Sequence, residues 1–269
     1  MGGDRMVIGF IGLGNMARAM IGGILKKELV APEDIVGSAH TRETCERVAA
    51  EFGIRTEASN VQVAREADIL VLAVKPQYLR VVLEEIRDEV DERKLVVSVA
   101  AGKTTKWLGE ELGKPVKIVR CMPNTPALVE EGCSAVCRNK YVSEEELETT
   151  MRLIGSFGMV EVVPETLMDT VGGVSGSSPA YVFLFIEAMA DAAVKGGMPR
   201  PQAYRFAAQS VLGAAKMVLE TGRHPGELKD MVCSPGGTTI EAVEVLEKRG
   251  LRAAVMEAID KTIEKSKKL

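Results

Sequence analysis

Aromatic residues make up only 4% of this 269-residue chain: one Trp, four Tyr and six Phe. So few flat side chains argue against a surface that stacks nucleic-acid bases, and a formal net charge of −4 removes the basic excess that a phosphate backbone would need. Histidine is scarcer still, with His40 and His224 alone, and the five cysteines (Cys45, Cys121, Cys133, Cys137 and Cys233) include one C-x3-C spacing but no CxxC. That inventory reads as buried free thiols in a reducing, cytoplasmic compartment rather than as a zinc site or disulfide framework. Long hydrophobic runs are also missing. Tyr181 to Ile186 is cut by Glu187 and Asp191 well short of a membrane span, and no signal-peptide pattern precedes Val7. Neither nucleic acid nor membrane is expected as a partner.

The remaining composition is that of a globular protein, 46% hydrophobic and 27% charged, long enough for two domains. Its 13 methionines are scattered over helical faces and read as adaptable core filler. The chain is organised around Val7-Ile8-Gly9-Phe10-Ile11-Gly12-Leu13-Gly14-Asn15-Met16-Ala17. Val7 to Ile11 reads as a buried strand. Gly12 and Gly14 allow a tight turn and close approach to a pyrophosphate, and Ala17 lets the next helix, Met16 to about Lys27, pack near the sheet. The free N–H groups of that helix would face the phosphates.

Strand and helix patterns then alternate. Asp34 to Ser38 is a second strand ending in Ala39-His40-Thr41-Arg42, with no Asp or Glu to hold a ribose 2′-hydroxyl. His40, Thr41 and Arg42 suit a 2′-phosphate instead, so NADPH is preferred and NADH possible; the lesser alternative is that Thr41 simply caps a helix from Arg42 to Phe52. Ile69 to Val74, stopped by Lys75-Pro76, suits a parallel strand buried on both faces. Lys75 would then sit at the ligand-binding strand end, although a lysine before a turn can be mere surface. Asn60 opens the preceding helix, where capping is its ordinary role. Leu95 to Ser98 and Val116 to Cys121 repeat the strand pattern, and the small residues after the first, Ala100-Ala101-Gly102, leave space for a flat ring. Cys133 to Cys137 and Val160 to Val163 read as edge strands around a helix from Ser143 to Phe157.

From Pro164 the period changes to helices throughout, so residues 1–163 are expected to form an α/β dinucleotide-binding domain and 164–269 an all-α domain. The segments Ala180 to Val194 and Phe206 to Leu219 are apolar around much of their circumference, which points to self-association through the C-terminal helices. Between two helices lies Cys233-Ser234-Pro235-Gly236-Gly237-Thr238-Thr239-Ile240, where glycines before a helix can form an anion site for a carboxylate, with one threonine capping and the other facing the pocket. Gly172 to Tyr181 reads as another small-residue turn. Neither loop offers a conventional catalytic acid, as expected if the substrate accepts hydride without prior deprotonation.

These residues resemble the pyrroline-5-carboxylate reductase family over nearly the whole chain, from Ile8 to about Ala258. The resemblance rests on IGFIGLGNMARAM (Ile8 to Met20), LAVKPQ (Leu72 to Gln77), RCMPNTPALVEEG (Arg120 to Gly132), VSGSSPAY (Val174 to Tyr181) and HPGELKDMVCSPGGTTIEAVEVLE (His224 to Glu247). It implies a Rossmann domain followed by a helical dimerisation domain, and the NAD(P)H-dependent reduction of 1-pyrroline-5-carboxylate to L-proline. It further implies cofactor contacts from Ile11, Gly12, Leu13, Gly14, Asn15 and Met16, from Ala73, Val74, Lys75 and Pro76, and from Asn60, Ala100 and Ala101. By the same resemblance, N–H groups of Ser234, Gly237, Thr238 and Thr239 take the substrate carboxylate, the Thr239 hydroxyl meets the ring nitrogen, and Glu165 lies in the pocket. Ser178 replaces the second glycine of the family's SGSGPAY. The alternatives are a β-hydroxyacid dehydrogenase or related imine reductase, disfavoured because the helix from Pro179 to Val194 has no lysine, and a nonenzymatic dinucleotide sensor, which would not need the SPGGTT loop.

Overall fold

The computed structural model describes residues 6–268. By contacts they form two compact units: residues up to 177 together with those from 262 onward, and residues 178–261.

In the first unit the aliphatic runs form strands and the amphipathic segments between them form helices. β1 (Ile8–Ile11) leads into α1 (Asn15–Lys26), β2 (Ile35–Ser38) into α2 (Arg42–Phe52), and a short β3 (Arg55–Thr56), which carries no aliphatic run to betray it, into α3 (Asn60–Glu66). β4 (Ile69–Leu72) precedes α4 (Pro76–Ile86), and β5 (Leu95–Ser98) precedes α5 (Thr105–Leu112). Next come β6 (Lys117–Met122), β7 (Gly132–Arg138), α6 (Glu144–Ile154) and β8 (Gly158–Val162). A capping box of Ser143 and Glu146 starts α6 one residue later than Ser143 itself.

Among the described residues the strands form one sheet in the order β3-β2-β1-β4-β5-β6-β7-β8. Pairing is parallel through β6; β7 runs antiparallel to β6, and β8 parallel to β7. The expectation of two edge strands is corrected for β7, which is interior because β8 pairs with it from Gly132↔Gly158 to Val136↔Val162. Ile8, Phe10, Val71, Val97 and Val119 pack with α1, α2 and α6 on one face, while Leu70, Leu72, Val96 and Ile118 pack with α3, α4 and α5 on the other. At roughly 1.5–3 kcal/mol per fully buried aliphatic side chain, these layers outweigh the exposed ion pairs at about 0–1 kcal/mol each.

The register places the functional edge. Ile11 is level with Ser38 and Leu72, Leu72 with Ser98, and Ser98 with Arg120. The chain order reverses between β1 and β4, so the crevice beyond Ile11 and Leu72 is where an open α/β sheet binds ligand. Past β8, α7 (Met168–Val171) passes into a π-helical turn, Gly172–Gly176, closed by Ser177 N–H donating to Gly172 O at 3.1 Å. The turn expected at Gly172 to Tyr181 is thus helical: three of the five residues of the wider coil are glycine, and Ser175 Oγ donates back to Val171 O at 3.0 Å.

The second unit holds α8 (Ser178–Lys195), α9 (Arg200–Thr221), α10 (Pro225–Val232) and α11 (Thr238–Lys248), and most of α12 (Leu251–Ser266). α8 and α9 meet through Ala190, Ala203 and Ala207, small residues that let the helices approach closely. The larger apolar side chains point away: Phe183 is 64%, Leu184 67% and Leu219 77% exposed. The helical stretch Glu165–Lys195, which contains Glu187 and Asp191, is only weakly apolar, with a mean hydropathy of 1.2 over 18 residues. Cys45, Cys121 and Cys137 are buried as expected; Cys133 and Cys233 are only half-buried.

Candidate cofactor and substrate sites

The β1–α1 turn is fixed from both sides. Gly12 N–H donates to Ser38 O and Ala73 N–H to Ile11 O, each at 2.9 Å, so the strand ends of β1, β2 and β4 hold the loop. Gly12 has φ +95°, and Gly14, the N-cap of α1, has open space where a Cβ would stand. No side chain caps α1 and no acidic residue lies in its first turn. The N–H groups of Asn15, Met16 and Ala17 are therefore available at the positive end of the helix dipole, and no atom lies within 4 Å of where a Cβ on Gly14 would stand.

The other expected cofactor residues ring the same sheet edge. Ala73 and Val74 face Gly12 directly, and Lys75 caps α4 ahead of Pro76, with no ion-pair partner among the described residues. Ala100 is buried in the loop after β5, and Ala101 follows it. Asn60 does not cap α3, because Ser59 does, its hydroxyl accepting from Val61 N–H. Asn60 instead accepts from Ser38 Oγ at 2.7 Å and donates to Glu85 at 2.8 Å. The carboxylate can only accept, so it fixes the Asn60 amide with its oxygen toward Ser38. His40 and Arg42 are exposed beyond β2, Thr41 caps α2, and Arg42 pairs with Glu46 at 2.7 Å. An exposed i,i+4 pair is worth only about 0.3–0.5 kcal/mol, so Arg42 can be drawn to a phosphate.

In the second unit, Gly236 at φ +70° turns the chain and Gly237 caps α11, with no side-chain cap bond. Two expectations are corrected. Thr238 and Thr239 are the first helical residues, not the last loop residues, and Gly237 N–H, expected among the carboxylate donors, donates to Ser234 O at 3.0 Å. That bond closes the turn and leaves the N–H groups at the start of α11 uncovered. Glu241, in the first turn, is an acidic neighbour.

Glu165 was expected in the pocket, but its partners, and the roles of Asn124 and Arg120, were illegible in sequence. Asn124 accepts from Cys133 N–H and donates to Ser175 O, fastening the π-helical turn to the strand region. Glu165 accepts from both Thr105 N–H (2.7 Å) and Thr105 Oγ1 (2.8 Å) at the start of α5. Beside it Arg120, 2% exposed, stands 3.7 Å from Glu165 and 3.6 Å from Asp169. Spacing gives no hint of these meetings, although a lone arginine inside the run Val116 to Cys121 is itself a signal that a buried charge needs partners.

A mostly parallel sheet with an uncapped helix at its switch point is the architecture of a dinucleotide-binding oxidoreductase, and the helical unit adds a second uncapped helix N-terminus. Residues 7–102 match the family described as NADP oxidoreductase, coenzyme F420-dependent, and residues 165–269 match pyrroline-5-carboxylate reductase dimerisation. The chain is 54% identical to the pyrroline-5-carboxylate reductase of Escherichia coli strain K12, covering 97% of each. Among solved structures it is similar to that of Coxiella burnetii (36% identical, TM-score 0.91, 98% of each chain). It is also similar to the Plasmodium falciparum enzyme with NADP bound (34% identical, TM-score 0.90, 99% of this chain and 98% of that one). The chain belongs to the pyrroline-5-carboxylate reductase family.

Proposed function

We propose that the chain reduces 1-pyrroline-5-carboxylate to L-proline by way of two backbone anion sites, one for the cofactor pyrophosphate and one for the substrate carboxylate. The observation that carries this reading is the start of α11: a helix N-terminus with no side-chain cap, above a turn already closed by its own hydrogen bond. Thr238 and Thr239 N–H groups take the carboxylate, Ser234 shapes the turn, and the Thr239 hydroxyl orients the ring nitrogen. The absence of a side-chain acid from the loop suits an imine, which is basic enough to be captured already protonated. When bound, the reduced nicotinamide supplies the hydride that adds to the C=N carbon. The task left to the protein is positioning.

Gly12, Gly14 and the first N–H groups of α1 hold the pyrophosphate. Ala100 and Ala101 leave room for the nicotinamide, and Glu165 braces that wall through Thr105. NADPH is the preferred cofactor, because Thr41 and Arg42 stand where an NAD site would carry a carboxylate. The functional boundary lies at residues 163 and 164. Subunits pair through the C-terminal helices, covering Phe183, Leu184 and Leu219, so the apolar stretch from Glu165 serves an interface and not a bilayer. The enzyme is cytoplasmic and binds no nucleic acid. Steady-state consumption of NADPH and of NADH on adding the imine tests the reading; no consumption of either would refute it.

A further inference from the structure

The largest fully buried side chain among the described residues is a charged one. Arg120 lies on β6, level with Ser98 on β5 and Cys137 on β7, and is 2% exposed. A guanidinium stays protonated in proteins, so this is a permanent cation inside a satellite core of Met122, Ala135, Cys137 and Met168. Its Nη1 is 3.7 Å from Glu165 and its Nη2 3.6 Å from Asp169, too far for the paired direct bonds of an arginine fork; Nε and Nη2 have no hydrogen-bond partner. The residue therefore acts through its charge.

What the charge gathers is specific. Each carboxylate spends its short bonds elsewhere: Glu165 on Thr105 N–H and Oγ1, and Asp169 on Ser266 Oγ at 2.8 Å. Thr105 opens α5, directly after the loop of Ala100 and Ala101. Asp169 lies in α7, just ahead of the π-helical turn, and Ser266 ends α12. The guanidinium offsets the mutual repulsion of Glu165 and Asp169, and so supports the three elements that these carboxylates hold. The stretch by which the chain leaves the first unit and the one by which it returns are thus both tied to one guanidinium.

We propose that Arg120 is a positioning residue for hydride transfer, acting through Glu165 and Asp169 to hold the β5–α5 loop and the α7 segment in register with the sheet edge. The proposal rests on reading Ala100 and Ala101 as the nicotinamide wall. The pyrophosphate turn on β1 is separated from β6 by β4 and β5, so Arg120 bears on the nicotinamide end of the cofactor and not on the pyrophosphate grip that supplies most of its affinity.

The test compares Arg120→Ala, Arg120→Gln and Arg120→Lys in the full-length enzyme. Arg120→Ala is expected to lower kcat by about 100-fold, the order of loss that a small misplacement causes, while the NADPH dissociation constant, read by cofactor fluorescence, stays within about threefold. Guanidinium chloride at low millimolar concentration should restore at least about tenfold of the lost turnover in Arg120→Ala and none in wild type, with sodium chloride inactive. An unchanged kcat, a parallel loss of NADPH affinity, or no response to guanidinium overturns the proposal. Should Arg120→Ala not fold, the other pair decides: Arg120→Lys, which keeps the charge, must turn over faster than the neutral Arg120→Gln, and equal rates overturn it. Failure of the underlying functional reading is distinguishable, since wild type itself would then consume no NADPH.

Discussion

Gly12 and Ala73 stand so close across the β1–β4 crevice that a Cβ on Gly12 would lie 2.8 Å from the Ala73 carbonyl oxygen. With φ +95° as well, Gly12 is where both backbone conformation and packing require glycine. Gly14, two residues on, has φ −77° and nothing near its missing Cβ. The two glycines should therefore fail differently. Gly12→Ala is expected to cost at least about 1 kcal/mol of stability and to weaken NADPH about tenfold or more. Gly14→Ala should leave the melting temperature of the cofactor-free protein unchanged while weakening NADPH to a similar degree, because its methyl enters only the space the phosphates need. Calorimetry and fluorescence titration read both quantities, and a melting loss in Gly14→Ala would contradict the assignment.

Thr239 separates substrate chemistry from cofactor binding. Its hydroxyl caps nothing, since α11 has no side-chain cap bond and Thr239 is the second helical residue. Thr239→Ala should keep the fold and NADPH affinity and lower kcat on the imine by roughly 10- to 100-fold, the scale of a lost hydrogen bond to a charged group. A variant with normal turnover, or one defective in NADPH binding, would remove the role given to this hydroxyl.

Cofactor choice turns on Arg42. Its guanidinium side chain is 91% exposed and its bond to Glu46 is a weak helical pair, so Arg42→Ala should leave stability within about 0.5 kcal/mol. The same change is expected to raise the NADPH dissociation constant about tenfold and leave NADH almost untouched. Equal effects on the two cofactors would cancel the preference for NADPH.

Periodicity explains what could be read in advance. Ile8–Ile11, Ile69–Leu72 and Leu95–Ser98 are short apolar runs with both faces buried, and each is followed by glycine, proline or alanine where the chain must turn. Local patterning decides such elements, so the cofactor edge was legible. Capping was legible only in part: Ser59 and Gly237 hold positions expected of Asn60 and a threonine, because a cap is chosen by backbone torsion and not by the most polar neighbour. The meeting of Arg120 with Glu165 and Asp169 was hidden entirely. It depends on α7 lying over β6, a long-range placement that no window of sequence reports.

The thiols beneath that placement yield a prediction about pH. Burial pushes Cys137 up to about 12, with the Glu165 charge adding to the effect, and burial drives Cys121 higher still. An unfolded thiol titrates near about 8.5, so below that value both states keep the proton and neither cysteine makes stability depend on pH. Above it the unfolded chain releases protons that the native chain retains. The unfolded state then binds fewer protons, and stability falls as pH rises, by up to about 1.4 kcal/mol per pH unit for each thiol. Urea unfolding at about pH 8, 9 and 10 should show this decline in wild type and a shallower one in Cys121→Ala/Cys137→Ala. The alanines shift the whole curve by a constant packing cost, so only the slope is diagnostic. Identical slopes would mean that the two thiols ionise as readily in the folded sheet as in the unfolded chain, and that the core around Arg120 is open to water.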